Sequence, residues 1–566
     1  MGLGILEDRK LEHVPGTATL EESRVDLDTS QVAATGLKTD KTGRIILVPQ
    51  PSDDPNDPLN WPIWKRDVIL FVLSLLSVIA STLSPLLAAT TLTLSLIFER
   101  TFTQMALLTG YHLLGVAVAG ILFVPSARVW GKRHLYLLGT CVLIFSSAWG
   151  GASGTNYKSL LWARIFQGVA LAPFEALVNA SVGDLYHVHE RGKRMALSNL
   201  ALFGGAFFTP VIVGKITHTM GWSWTFYFIA IFSGALLPCV ILFVPETAYA
   251  RPEYLNIDTA TILKRLNANN PQSNSANDMP INTNHNNYYP EKESSPPPTN
   301  TGLTNVDGGG QSRLIPYYRT LLPFNGRKTS ENYFLLLLRP LPLFAHPGIL
   351  WACLIQGTLI GWTVMIGIVL AAIMLGPPLF FDEVKTGYMY TGAFVGAIVG
   401  FALAGLVADP SAKVLTRWNK GVFEPEFRLV LVVPQLLLGC TGLYGFGIVS
   451  NNIERYGWFW PDFFFAFEVA GMVLGAVASA LYVVDAHRDI AVEAFTCLMI
   501  FKNIFSFGLT FSGFNWLVDN GVRKPFVAIA SVQVGICMLS VLMYVFGKKN
   551  RSFFARHDIL RLLKLR

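Results

Sequence analysis

The chain has 566 residues, 52% of them hydrophobic and only 14% charged, against roughly 25% charged in an ordinary soluble domain. A mean hydropathy of +0.44 excludes a water-soluble fold for the bulk of the chain. The net charge of +7 is spread over short loops, and without a long basic patch it does not point to nucleic acid.

The first 66 residues are polar and lack the apolar core of a cleaved signal peptide. The first membrane span is therefore expected to direct insertion. The lead-in DDPNDPLNWPIWKRD (53–67) places Trp61 and Trp64 at headgroup level and Lys65 and Arg66 on the inner side. Twelve apolar stretches follow, each near or above the length that crosses a bilayer as a helix. Their cores are 68–92, 105–127, 135–154, 160–184, 195–217, 224–244, 349–374, 388–408, 428–449, 461–484, 491–514 and 525–546. A β-barrel would instead show alternating segments of about ten residues.

Basic residues gather in the loops after spans two, four, eight and ten, including Arg128, Lys132, Arg133, Arg191, Lys413, Arg428 and Arg488. That bias puts those loops, and with them both termini, in the cytoplasm. Between spans six and seven, residues 250–345 are rich in Asn, Ser and Pro, too poor in apolar residues to fold alone. A flexible cytoplasmic linker is expected, in which EYLNIDTATILKRL has the pattern of a short helix along the membrane. The segments are thus 1–66, a first half 67–249, the linker 250–345, a second half 346–546 and a basic tail 547–566. The tail either lies on anionic lipid or simply exits the last helix.

Two carboxylates interrupt the apolar spans: Glu175 in span four and Glu468 in span ten. An ionised group in hydrocarbon must face a cavity or a partner. With residues 172 and 472 as the span midpoints, each acid lies within about 6 Å of the midplane, on opposite sides, with depths about 10 Å apart. That spacing suits two amines of a flexible cation, or one acid for cargo and the other for protons; a packing pair is the alternative for either. Lys502, inside span eleven, likewise needs a partner, and a structural ion pair is expected.

Six and six spans around a long central loop predict a pseudo-symmetric carrier with its site at the midplane. No TVGYG-type filter is present, and no P-loop. The ten histidines do not cluster, and the six cysteines have no metal-ligand spacing. Neither an enzyme nor a resident metal or cofactor is expected.

Several strings carry a family likeness over about residues 51–546: the lead-in at 53–67, VPSARVWGKRHLYLLG after span two, Arg164 with Gln167-Gly168, LFGGAFFTPVIVGKI in span five, GWSWTFYF, VPET, and GLVADPSAKVLTRWNKGVFEPEFRL at 405–429. They resemble the major facilitator superfamily. The likeness is nearest to the twelve-span fungal drug:proton antiporter branch, and within it to the group associated with cation and polyamine uptake. It departs in two places. Arg128 stands where the loop motif has an acid, leaving Asp184 and Glu190 as candidate gating partners. Thr209 and Val213 replace two glycines of the antiporter motif.

The resemblance implies an all-α membrane protein of the major facilitator fold, twelve transmembrane helices in two pseudo-symmetric six-helix halves, with spans one, four, seven and ten around the cavity. It implies a monomeric, proton-coupled importer of polyamines or related organic cations in the plasma membrane. An exporter of cationic drugs by proton exchange, or a carrier of an uncharged solute, is the alternative. The candidate cargo site is Glu175, Asn179, Gln356, Trp362, Tyr388, Phe467, Glu468 and Trp516. Rings near an ammonium add cation–π attraction. Arg164, Glu175, Asp184, Glu468 and Asp485 are the candidates for proton coupling or gating, with Arg164 open to a packing role and Asp485 to a capping one.

Overall fold

The computed structural model describes residues 49–251 and 315–565, together with 3–7, 10–11, 14–19, 38 and 47. The helix expected in EYLNIDTATILKRL and most of the polar insert lie outside the described residues.

The first spanning helix, α1, is Ile63–Ser81. Its charges, Lys65, Arg66 and Asp67, fall in the first turns, leaving the remainder apolar. Eleven more described segments are long and apolar enough to cross a membrane. In the first half these are α2 (Phe102–Trp130), α3 (Arg133–Gly151), α4 (Tyr157–Leu185), α5 (Val188–Met220) and α6 (Trp222–Phe243). In the second half they are α7 (Pro347–Leu375), α8 (Thr391–Trp418), α9 (Pro425–Asn451), α10 (Phe459–Ala486), α11 (Ala491–Asn520) and α12 (Arg523–Arg556). The protein is an all-α membrane protein of two six-helix halves.

Three spans depart from regular helices. Span one was expected to run to residue 92, but α1 stops at Ser81. Ser84-Pro85 explains the stop: proline has no N–H and disfavours the helical conformation in the residue before it. A 3₁₀ turn, Ala88–Thr90, and a short helix, Thr91–Ile97, follow. Span eight is preceded by a separate turn of helix, Glu383–Tyr388, so α8 begins at Thr391. In α9 the chain starts as a 3₁₀ stretch, Pro425–Leu431, and carries a π turn at Leu436–Cys440. There Gly439 meets α10 so closely that a Cβ on Gly471 would fall 2.4 Å from the Gly439 Cα.

Each half has its own apolar core. Leu73, Leu76, Leu143, Phe174 and Phe226 are fully buried in the first, and Leu359, Val469, Leu474 and Phe526 in the second. The halves meet along α2 against α11 and α5 against α8. On the face bearing the described chain ends, residues 315–333 are laid against the first half, where Lys328 N donates to the Val129 carbonyl at 2.7 Å and Arg133 to that of Leu321 at 2.8 Å, while Leu343 joins the core of the second half. On the same face α12 continues to Arg556 with Arg551 buried, held by Glu424 at 2.8 Å and Glu426 at 2.7 Å. An N-terminal strand, β1 (Ala18–Thr19), pairs antiparallel with β2 (Val422–Phe423) beside this cluster.

Candidate functional site

Asn156 caps α4 by accepting from Ser159 N at 3.2 Å, and the helix carries a proline at Pro173, two residues before Glu175. A helical proline leaves a carbonyl without its donor and bends the axis. Glu175 extends across the boundary between halves and forms an ion pair with the Lys502 ammonium of α11. Their side chains keep 11% and 14% exposure, so the pair is largely but not wholly removed from water. Close packing brings Lys502 into reach: a Cβ at Gly357 of α7 would fall 2.4 Å from the Phe501 ring and 3.4 Å from the Lys502 Cα. Glycine at that position lets α11 lie directly on α7.

The second carboxylate is enclosed in its own half. Glu468 is fully buried and accepts from Thr363 Oγ1 of α7 at 2.8 and 3.1 Å through its two oxygens. Behind it, a Cβ at Gly442 of α9 would lie 2.4 Å from the Glu468 nitrogen. Taking helix midpoints, Glu175 sits about 6 Å from the midplane toward the face bearing the termini, and Glu468 about 7 Å toward the other face. The two acids have separate partners at separate depths.

Arg164 is buried completely. Its guanidinium donates to the Leu83 carbonyl and to Gln167 Oε1, both at 2.8 Å, and lies 3.5 Å from the Leu108 carbonyl. The break at Ser84-Pro85 is what supplies the Leu83 carbonyl, since α1 no longer consumes it. Beside this group the buried His112 ring is bonded to Ser84 Oγ at 3.2 Å.

The remaining candidates do not form one cluster. Asn179, one turn past Glu175, donates to Asn199 Oδ1 and accepts from Ser198 Oγ, both at 2.7 Å, tying α4 to α5. Gln356 accepts from Ser479 of α10 at 3.1 Å. Trp362 donates to Gln533 of α12 at 3.1 Å, inside the second half. Phe467 packs against Phe463 with the rings tilted at 41° and 4.7 Å between centroids, while Tyr388 and Trp516 are exposed. Asp184 pairs with Lys132 at 2.6 Å and Glu190 with Arg66 at 3.4 Å. Asp485 takes Arg428 at 2.9 Å, and Arg428 also reaches Asp409 at 3.0 Å. These pairs each close within one half.

Contacts between halves occur at both faces. On the face bearing the termini, Arg128 bridges to Glu493 of α11 at 2.7 Å and to Glu331 at 2.8 Å. At the opposite face, Thr93 donates to Glu383 at 2.5 Å, Thr103 to Asn515 at 2.9 Å, and Phe102 meets Phe514 at 4.2 Å between centroids.

Sequence reasoning singled out Lys502 as needing a partner but did not connect it to Glu175. Helix arithmetic carried the signal: both residues lie about 5–6 Å from the midplane on the same side. Thr363 and Asn199, the neutral partners, gave no comparable signal.

A family model described as Major Facilitator Superfamily matches residues 69–504. Protein HOL1 of Saccharomyces cerevisiae is 24% identical, over 96% of this chain and 96% of its own. Multidrug transporter TPO1_2 of Candida glabrata is 23% identical, over 89% of this chain and 79% of that protein. Among solved structures, the proton:xylose symporter XylE bound to 6-bromo-6-deoxy-D-glucose superposes with a TM-score of 0.55 at 13% identity, covering 85% of this chain and 96% of that one. At that identity the superposition speaks for the fold alone.

Proposed function

The chain belongs to the major facilitator superfamily, a secondary transporter of a small organic solute rather than an enzyme, and from that premise we propose that it exchanges protons for an amphipathic organic cation, exporting it. The observation that carries this reading is Glu175: a carboxylate of the membrane interior, at the boundary between halves, that keeps some exposure. A carboxylate there binds an ammonium or a proton, and binding one weakens the other. Exchange is the simplest use of one acid that cannot hold both.

The step follows from charge. Cargo enters from the face bearing the termini, which we read as cytoplasmic from its basic loops, and its cation settles on Glu175. The halves rock, the contacts around Thr93, Glu383 and Asn515 part, and the site opens to the other side. There a proton takes the carboxylate, the negative charge is lost, and the cation leaves. The return stroke carries the proton inward. The printed name of the Candida glabrata relative, a multidrug transporter, supports a cargo of that class.

Polyamine uptake has less support. The two acids are expected to serve either two amines of one cation or cargo and proton separately, and Glu468 is fully buried against Thr363. A symporter sharing the single acid Glu175 between proton and cation would make its two ligands compete.

The test is flux into proteoliposomes. With the chain reconstituted and a pH gradient imposed, labelled tetraphenylphosphonium should accumulate on the acidic side, and Glu175→Gln should abolish the gradient-driven part. Accumulation of spermidine with the proton gradient, and none of tetraphenylphosphonium against it, would establish uptake instead.

A further inference from the structure

Lys502 is a cation that the proposed cargo would have to meet. Its ammonium sits on the carboxylate assigned to cargo and proton, and it comes from the opposite half. Nearly enclosed in a span, a lysine without a partner is strongly disfavoured, and so is an unpaired carboxylate. The pair solves both problems when nothing else is bound. It also joins α4 to α11 and hence one half to the other.

We propose that Lys502 is a tethered stand-in for the cargo's cation: it occupies Glu175 when neither cargo nor proton is there, and either must displace it. This rests on Glu175 being the exchange site. Two consequences follow from the geometry. The empty carrier is tied across its halves by an ion pair of low exposure, so it resists moving without a ligand, as exchange requires. Affinity for cargo is set by competition with a lysine whose flexible four-carbon stem keeps it local; tethering gives such a competitor a high effective concentration. No bond is made or broken covalently. A proton binding to the carboxylate removes its charge, while Lys502 keeps its own proton and swings aside.

The placement is built into the helix surfaces. Gly357 admits α11 against α7, and α2 packs on α11 so closely that a Cβ at Gly110 would fall 3.1 Å from the Thr510 Cβ. Lys502 therefore has little freedom in where its stem begins, and among the described residues its ion-pair partner is Glu175.

The experiment measures equilibrium binding of tetraphenylphosphonium to the full chain in detergent, for wild type, Lys502→Met, Lys502→Gln, Lys502→Arg and Glu175→Gln, across pH. Removing the competitor should tighten binding about tenfold in Lys502→Met and Lys502→Gln. Lys502→Arg should stay within a fewfold of wild type. If Glu175→Gln loses binding while both neutral Lys502 variants bind no tighter than wild type, the stand-in role is wrong and the exchange site survives. If Glu175→Gln binds as wild type does, the exchange site fails and the stand-in with it. The double exchange Glu175→Lys with Lys502→Glu guards against misfolding: it keeps the ion pair and should bind within a fewfold of wild type, and its failure beside well-folded single variants would also count against the stand-in.

Discussion

Glu175 and Lys502 lie on different halves of the molecule, at about the same depth in the membrane, and form an ion pair. Most charged pairs described here close within a half, as Lys132 does with Asp184 and Arg428 with Asp485. A pair that crosses the boundary is placed to report, and to resist, relative motion of the halves.

Glu468 makes a contrasting prediction. Its carboxylate is fully buried and its side-chain partner is Thr363. Thr363→Val keeps the shape and removes the donor, so it should cost about 1–3 kcal/mol. Glu468→Gln still accepts from Thr363 and should cost less. Thermal unfolding in detergent orders the two variants; equal or reversed losses would mean that Thr363 is not the group satisfying Glu468.

Arg164 is held by carbonyls and an amide rather than by a carboxylate. A lysine has neither the fork nor the planar spread to reach the Leu83 carbonyl and Gln167 together. Arg164→Lys should therefore behave nearly as poorly as Arg164→Met, with transport reduced by about tenfold or more, the loss of roughly one charge-assisted bond. Flux normalised to reconstituted protein measures it, and wild-type rates in the lysine variant would show that charge alone suffices.

Before α1, Asp57 is fully buried and bound twice by Arg251, at 2.8 and 3.1 Å. Burial pushes its carboxyl up, but the hydrogen bonds and charge of Arg251 outweigh that and hold it below its usual 3.8. A carboxyl lowered by folding adds stability above its unfolded pKa, and that stability is lost as pH falls through the folded value. The Asp57–Arg251 tie should thus hold throughout the neutral range and weaken only below about pH 4. Asp57→Asn should destabilise this junction by about 1–3 kcal/mol at neutral pH, seen as faster proteolysis near residue 251; unchanged cleavage would contradict the assignment.

A histidine pair predicts a different pH window. His346 caps α7, its Nδ1 accepting from Gly348 N at 3.2 Å, and its ring lies 4.4 Å from that of His487. Burial pushes His346 down to about 4 from 6.5, and burial, then His346 and Arg551, push His487 well below 6.5. Because the folded rings resist protons that the unfolded ones accept, stability is full above about pH 6.5 and falls as pH drops toward 4. His487→Phe should flatten the decline between those values in a thermal-shift series. An unchanged slope would assign it to other groups.

Much of the architecture was legible in the sequence because a membrane span must satisfy its own backbone, and length and apolarity then suffice to find it. Ser84-Pro85 is visible too, yet the apolar pattern runs through it to residue 92, because hydropathy does not register a missing N–H. Side-chain partners were less legible. Glu175 and Lys502 could be flagged separately by the cost of charge in hydrocarbon, but pairing residues 327 positions apart needs the packing of α11 on α2 and α7. Thr363 carries no charge and stands out from no pattern, so the closure around Glu468 required coordinates.

The central claim is that cargo and proton compete for Glu175. The direct measurement is the affinity for tetraphenylphosphonium as a function of pH, in wild type and in Glu175→Gln. Competition predicts that wild-type affinity weakens as pH falls, by up to about tenfold per unit for a single shared acid. Any binding left in Glu175→Gln should be weak and flat with pH. A Glu175→Gln protein that keeps the wild-type affinity and the wild-type slope would contradict the account.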